Sequence, residues 1–119
     1  MNEEDCVDLE AVARLRRLGK GGPFVREMID LFLGHAPAKL AEAQAGLQAS
    51  DLSAVEKAVH SLKSSAGNVG ARVVRDLAAQ IERLASARQG ADLPALMHEL
   101  ESALAHASTR LGEVRLSEP

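Results

Sequence analysis

Near the end of the chain, Leu93, Leu96, Met97, Leu100, Leu104 and Leu111 recur mainly at spacings of three, four and seven residues. A seam of that kind lies along one side of an α-helix and suits near-antiparallel packing against other helices in a bundle. Few segments alternate with period two and β-branched residues are sparse, so no sheet competes for these residues. The same helical period appears in four earlier segments. Leu9, Val12, Leu15 and Leu18 form a short first stripe that Asp8 can cap, and the run "GKGG" then breaks the pattern. Pro23 suits the first turn of a second helix whose stripe reads Phe24, Met28, Phe32, Leu40, Ala43 and Leu47, with a kink expected at Pro37. A turn at "QASD" offers Ser50 or Asp51 as the next N-cap. The third helix carries Leu52, Val55, Val59, Leu62 and Ala66, and Gly67-Asn68 can end it in a left-handed cap. Val73, Val74, Leu77, Ile81 and Leu84 mark a fourth helix ending near Gly90, and Asp92 can cap the fifth. The fold class is all-α: a four-helix bundle with an additional N-terminal helix, joined by short connections.

Composition narrows what such a bundle can do. The chain has 119 residues, two Phe, no Trp and no Tyr, so a site built on aromatic stacking of bases or cofactor rings has almost nothing to use. A net charge of -3 argues against nonspecific nucleic-acid binding. Cys6 is the only cysteine, which excludes an intramolecular disulfide and a thiolate-rich metal site. No apolar run approaches the roughly 20 residues that span a bilayer, and the acidic start "MNEEDCVDLE" is unlike a signal peptide. These features predict one cytoplasmic domain over residues 1–119, with a core of about 8–116, and no nucleic-acid or membrane partner. Met1 and the compact length favour a free-standing protein over a piece of a longer one.

The stretch "AVHSLKSSAGNVGA" carries the candidate chemistry. At about 100° per residue, His60 lies roughly 120° from the centre of the apolar stripe on the third helix, toward solvent. Glu56, Lys57, Lys63 and Ser64 are its neighbours one turn away, and Ser53 and Gly67 share its face two turns away. Ser64, Gly67 and then Ala71 leave the C-terminal half of that face nearly bare. A glycine in a helix costs about 1 kcal/mol relative to alanine, so stability alone would place long charged side chains there. A C-cap at Gly67 and an ordinary surface serine explain each residue singly. The combination of an exposed histidine, a lysine one turn on and small residues around them suits a ring that another protein's active site must cover. A neutral imidazole attacks an acyl phosphate through one ring nitrogen while the other keeps its proton, and Lys57 and Lys63 would attract phosphoryl oxygens.

"HSLKSSAGNVGA" resembles the signature of histidine phosphotransfer (HPt) domains, the relay modules of multistep two-component signalling. His60, Leu62, Lys63, Gly67 and Gly70 match the pattern His-x-Leu-Lys-Gly, small residues, Gly-x-x-Gly at the expected offsets. The upstream run "FVREMIDLFLGHAPAKLAEAQAGLQASDLSAVEKAVH" resembles the family's long kinked helix and its entry to the histidine helix, so the likeness covers nearly the whole chain. One departure is Ser64, which stands where the commonest pattern has Gly; it is small enough to leave room and can bond a phosphoryl oxygen. The resemblance implies an antiparallel bundle of HPt type. It implies that His60 is the phospho-acceptor and that Lys63 stabilises the phosphoryl group. It also implies that Glu82, on the next helix, accepts a hydrogen bond from the proton-bearing ring nitrogen and orients the histidine. Phosphate would pass from the aspartate of a receiver domain, or of a hybrid sensor kinase, through His60 to the aspartate of another receiver. Ser53, Glu56, Lys57, Ser64, Gly67 and Arg72 would flank the docked partner. The module would be a monomer and no enzyme in its own right, needing no cofactor because the receiver carries the Mg²⁺.

Other readings fit less well. "GKGG" lacks the strand and the Lys-Ser/Thr pair of a phosphate loop, and the chain is too short to add an ATP-binding domain. A metal-binding bundle would show Glu-x-x-His pairs on two helices, which are absent around His35, His98 and His106. A non-transferring helical adaptor that only docks receivers is the strongest alternative, and the presence of both His60 and Lys63 favours the relay.

Overall fold

The computed structural model describes residues 6–19 and 21–118. Among the described residues five helices follow one another: α1 (Leu9–Gly19), α2 (Gly22–Gln48), α3 (Leu52–Asn68), α4 (Arg72–Ser86) and α5 (Leu93–Ser117). α2 packs on α3, α3 on α4, α4 on α5 and α5 back on α2, which closes a four-helix ring, and α1 lies against α2. Paired side chains establish an antiparallel order. His60 and Glu82 join α3 to α4, while Gln44 with Glu101 and Asp30 with Arg115 run in opposite directions along α2 and α5. The molecule is elongated, 45 × 25 × 19 Å, as expected when helices of 27 and 25 residues set its long dimension.

All six residues of the α5 seam are buried. Elsewhere local chemistry sets the ends. The Asp8 carboxylate accepts the Glu10 N–H at the start of α1, and the Asp51 carboxylate, not Ser50, accepts the Ala54 N–H at the start of α3. Pro23 occupies the first turn of α2, and the helix continues through Pro37, whose missing N–H interrupts the hydrogen-bond ladder without ending it.

Several expectations need correction. Leu9 and Leu18 are exposed, and Ala11 joins Val12 and Leu15 on the buried side of α1. The α2 core face runs through Val25, Ile29, Phe32, Ala36, Leu40 and Ala43, with Phe24, Met28 and Leu47 only partly buried beside it. The α3 end is not a left-handed cap at Gly67-Asn68. The helix runs to Asn68, and Gly70 takes the positive φ of 75°. There the Ala71 N–H bonds the Ala66 carbonyl at 2.9 Å and the Gly70 N–H bonds that of Gly67 at 3.4 Å, a Schellman closure. Ala71 is fully buried and is no part of the bare face. α4 stops at Ser86 rather than near Gly90, through an equivalent closure in which Arg88 is left-handed and the Gln89 N–H bonds the Leu84 carbonyl at 2.9 Å.

Gly70 also anchors the N-terminal segment. The Asp8 N–H donates to its carbonyl at 2.7 Å, and a Cβ at Gly70 would sit 2.6 Å from the Asp8 carbonyl oxygen. Cys6 and Val7 are buried next to that junction. At the other end of the chain, the nearly buried Glu118 carboxylate accepts a bidentate Arg16 guanidinium, and the Glu118 carbonyl accepts Arg26 at 3.1 Å. Gly70→Ala combines a left-handed alanine with a backbone collision, so urea denaturation should show a loss of about 2 kcal/mol or more. Gly67→Ala meets only the Arg75 Cδ at 3.7 Å, and should leave stability unchanged or raise it by up to about 1 kcal/mol.

Candidate functional site

The burial of α3 and α4 determines which side chains meet on their outer side. Val55, Ala58, Val59, Leu62 and Ala66 turn α3 inward, and Val74, Ala78, Ile81 and Ala85 do the same for α4. Small residues at facing positions let two helices approach closely. His60 then projects from α3 with its side chain 62% exposed, and Glu82 comes up from α4 with 20% exposure.

The Glu82 carboxylate serves two partners. Oε2 lies 2.5 Å from His60 Nδ1 and Oε1 accepts from Lys63 Nζ at 2.6 Å. Partial burial pushes the Glu82 carboxyl up, but the hydrogen bonds from Lys63 and His60 outweigh it and hold the group below the ordinary carboxylate range. An ionised carboxylate can only accept, so Nδ1 is the donor, and a neutral ring then has its lone pair on Nε2. Nε2 makes no hydrogen bond to the described residues. The ring is thus held at one nitrogen and open at the other.

The remaining predicted residues divide into those around this ring and those at its margins. Ser64 is exposed and Gly67 lies within α3, in ordinary helical conformation. The cap that would explain a glycine at 67 belongs to Gly70, so the backbone has no need of it, and its effect is to leave the face low. Glu56 shares a shallow groove with Glu82, Arg83, Ser86 and Ala87. Lys57 is exposed and lines the α2–α3 groove with Lys39 and Asp51. Ser53 accepts a hydrogen bond from Arg88 at 3.2 Å, and Arg72 is exposed at the start of α4.

Two arginines were not singled out from the sequence. Arg75 stands opposite Gly67 and pairs with Asp76, and Arg88 stands beside Ser53, so guanidinium groups bracket the face at both ends. The Arg75 position follows from the antiparallel register that pairs His60 with Glu82. Arg88 has no such signal, since arginine is not favoured in a left-handed turn.

The lowered Glu82 pKa fixes the sign of its acid dependence. Its contribution to stability is complete above the pKa it has in the unfolded chain and is lost as pH falls through the depressed folded value. Glu82→Gln should therefore reduce stability by less than about 1 kcal/mol at neutral pH, given the exposure of its partners. That difference should shrink as the pH of the denaturation measurement falls through the depressed folded value.

Comparisons with known proteins bear on the fold and the family. A family model described as "Hpt domain" matches residues 27–110. Histidine-containing phosphotransfer protein B from Pseudomonas aeruginosa PAO1 superposes with a TM-score of 0.87 at 23% identity, covering 94% of this chain and 96% of that one. The HPT domain of a sensor hybrid histidine kinase from Shewanella superposes with a TM-score of 0.73 at 20% identity, covering 96% of this chain and 92% of that one. No curated protein sequence matches. A histidine held at Nδ1 and open at Nε2, on a bundle of this shape and within a matched span of this extent, leads to one conclusion: the chain belongs to the Hpt domain family, the histidine phosphotransfer modules of phosphorelays, which carry a phosphoryl group rather than turn over a substrate.

Proposed function

We propose that His60 takes a phosphoryl group from the aspartyl phosphate of a receiver domain, free or within a hybrid kinase, and passes it to the aspartate of another receiver. The observation that supports this most is the Glu82 bond to Nδ1, which leaves Nε2 as the exposed nucleophile. In the forward step the Nε2 lone pair attacks phosphorus and the P–O bond of the acyl phosphate breaks. Its electron pair goes to the aspartate oxygen, and the proton stays on Nδ1 against Glu82. The ring becomes formally cationic as the N–P bond forms, and the adjacent carboxylate offsets that charge.

Lys63 stands one turn from His60, and its ammonium, held by the same carboxylate, can follow the phosphoryl oxygens from donor to ring. In this reading the receiver supplies the Mg²⁺ and the acidic groups that hold it. The five helices act as one cytoplasmic module and as a monomer. Ser53, Glu56, Lys57, Ser64, Gly67 and Arg72 form the surface onto which the receiver comes down, and the low profile of Ser64 and Gly67 admits its active site to contact distance.

His60→Gln should abolish phosphoryl uptake from phosphoramidate, read by intact mass, while receiver binding and the helical circular dichroism stay as in the wild type. Retention of an acid-labile adduct by that variant would remove His60 from the role. Lys63→Ala should slow transfer from a phosphorylated receiver by about 10- to 100-fold and change receiver affinity far less; an unchanged transfer rate would exclude Lys63 from the step.

A further inference from the structure

A neutral imidazole can be held by its Nδ1–H with any good acceptor, an amide oxygen included. This chain uses a carboxylate, and the difference acts once the ring carries phosphate. The inference drawn from it rests on His60 being the phosphoryl acceptor. With phosphorus on Nε2, the proton on Nδ1 alone decides the charge of the ring. When that proton is present, cleavage of the P–Nε2 bond returns the electron pair to Nε2 and releases a neutral imidazole. Without it, the leaving group would be an imidazolate anion, which departs far less readily.

Glu82 bears on this step in three ways. Oε2, 2.5 Å from Nδ1, opposes loss of the ring proton. Oε1 holds the Lys63 ammonium at 2.6 Å and so competes with the phosphoryl oxygens for it. The carboxylate itself is a negative charge beside a phosphoryl dianion. Where the ring would otherwise be deprotonated all three favour release, although the same carboxylate offsets the ring's positive charge in the forward step. We propose that Glu82 makes phosphorylated His60 a short-lived carrier, set to hand its group on rather than to store it.

Other charged groups nearby do not replace it. On α3 these are Glu56, Lys57 and Lys63, and on α4 Arg83 lines the groove with Glu82 and Glu56. α2 presents Lys39, which bridges to Glu42. Of these, Glu82 is the one that bonds the ring. The overall step balances: ring-protonated phosphohistidine and one water give histidine, with its proton still on Nδ1, and dihydrogen phosphate. In transfer, a receiver carboxylate oxygen takes the place of water.

The test charges wild type, Glu82→Gln and Glu82→Ala with phosphoramidate, removes the reagent and follows loss of the adduct by intact mass from about pH 5 to about pH 10. Both variants should keep the adduct roughly tenfold longer near pH 8, and the fall in their loss rate with rising pH should begin about one pH unit lower than in the wild type. Coincident profiles, or profiles displaced vertically with unchanged shape, would overturn the inference alone, because a purely structural role for Glu82 would do no more than that. A wild type that takes no adduct, or an adduct that survives His60→Gln, would overturn the functional reading and this inference with it.

Discussion

One carboxylate on α4 holds two side chains of α3, and the chemistry available to this protein follows from that sharing. Glu82 fixes the edge of the His60 ring that carries the proton, sets which nitrogen faces outward and keeps Lys63 one turn away in reserve. None of the three groups would be arranged this way on a lone helix. The contact requires α3 and α4 to be in register and close, which depends on Val59, Leu62, Ala78 and Ile81 being packed out of water behind them. Burying a side chain the size of Ile81 contributes about 1.5–3 kcal/mol, more than the partly exposed polar contacts in front of it supply. The core thus orients the site, and the site adds little to the stability of the core.

The face around His60 is kept open by choices that stability does not ask for. Gly67 sits inside a helix where alanine would fit, and Ser64 is exposed where a longer helix former would be accepted. The glycine that the backbone does require is three residues further on. Gly70 makes the left-handed turn, receives Asp8 and leads directly into α4. Two glycines in one short motif therefore have different reasons for being there, one conformational and one steric. Arg75, paired with Asp76, and Arg88, bonded to Ser53, stand at the two ends of that face.

Much of this was legible in the sequence, and the failures have physical causes. The α5 seam was read correctly because only one helical register of apolar residues exists there. In α2 two registers compete: Phe24, Met28 and Phe32 keep helical spacing, and so do Val25, Ile29, Phe32 and Ala36. Packing against α3 and α5 chose the second, and no local pattern distinguishes them. Leu9, Val12, Leu15 and Leu18 are spaced three apart throughout, which slips about 60° per step and carries the two end leucines off the buried side of α1. The expected α3 cap at Gly67-Asn68 is replaced by Gly70, whose carbonyl accepts the N–H of Asp8 from some sixty positions away. Glu82 was placed near His60 by the family resemblance rather than by its own helix, on which it looks like a surface glutamate. Its second bond, to Lys63, becomes visible only when α3 and α4 are laid antiparallel.

The most direct test of the account is where phosphorus becomes attached. Protein labelled with ¹⁵N in its histidine rings, charged with phosphoramidate and observed by ³¹P–¹⁵N correlated NMR, should show phosphorus coupled to Nε2 of one ring, with that signal absent in His60→Gln. Coupling to Nδ1 of His60, or to a ring nitrogen of His35, His98 or His106, would contradict the claim that Glu82 reserves Nε2 of His60 for the phosphoryl group.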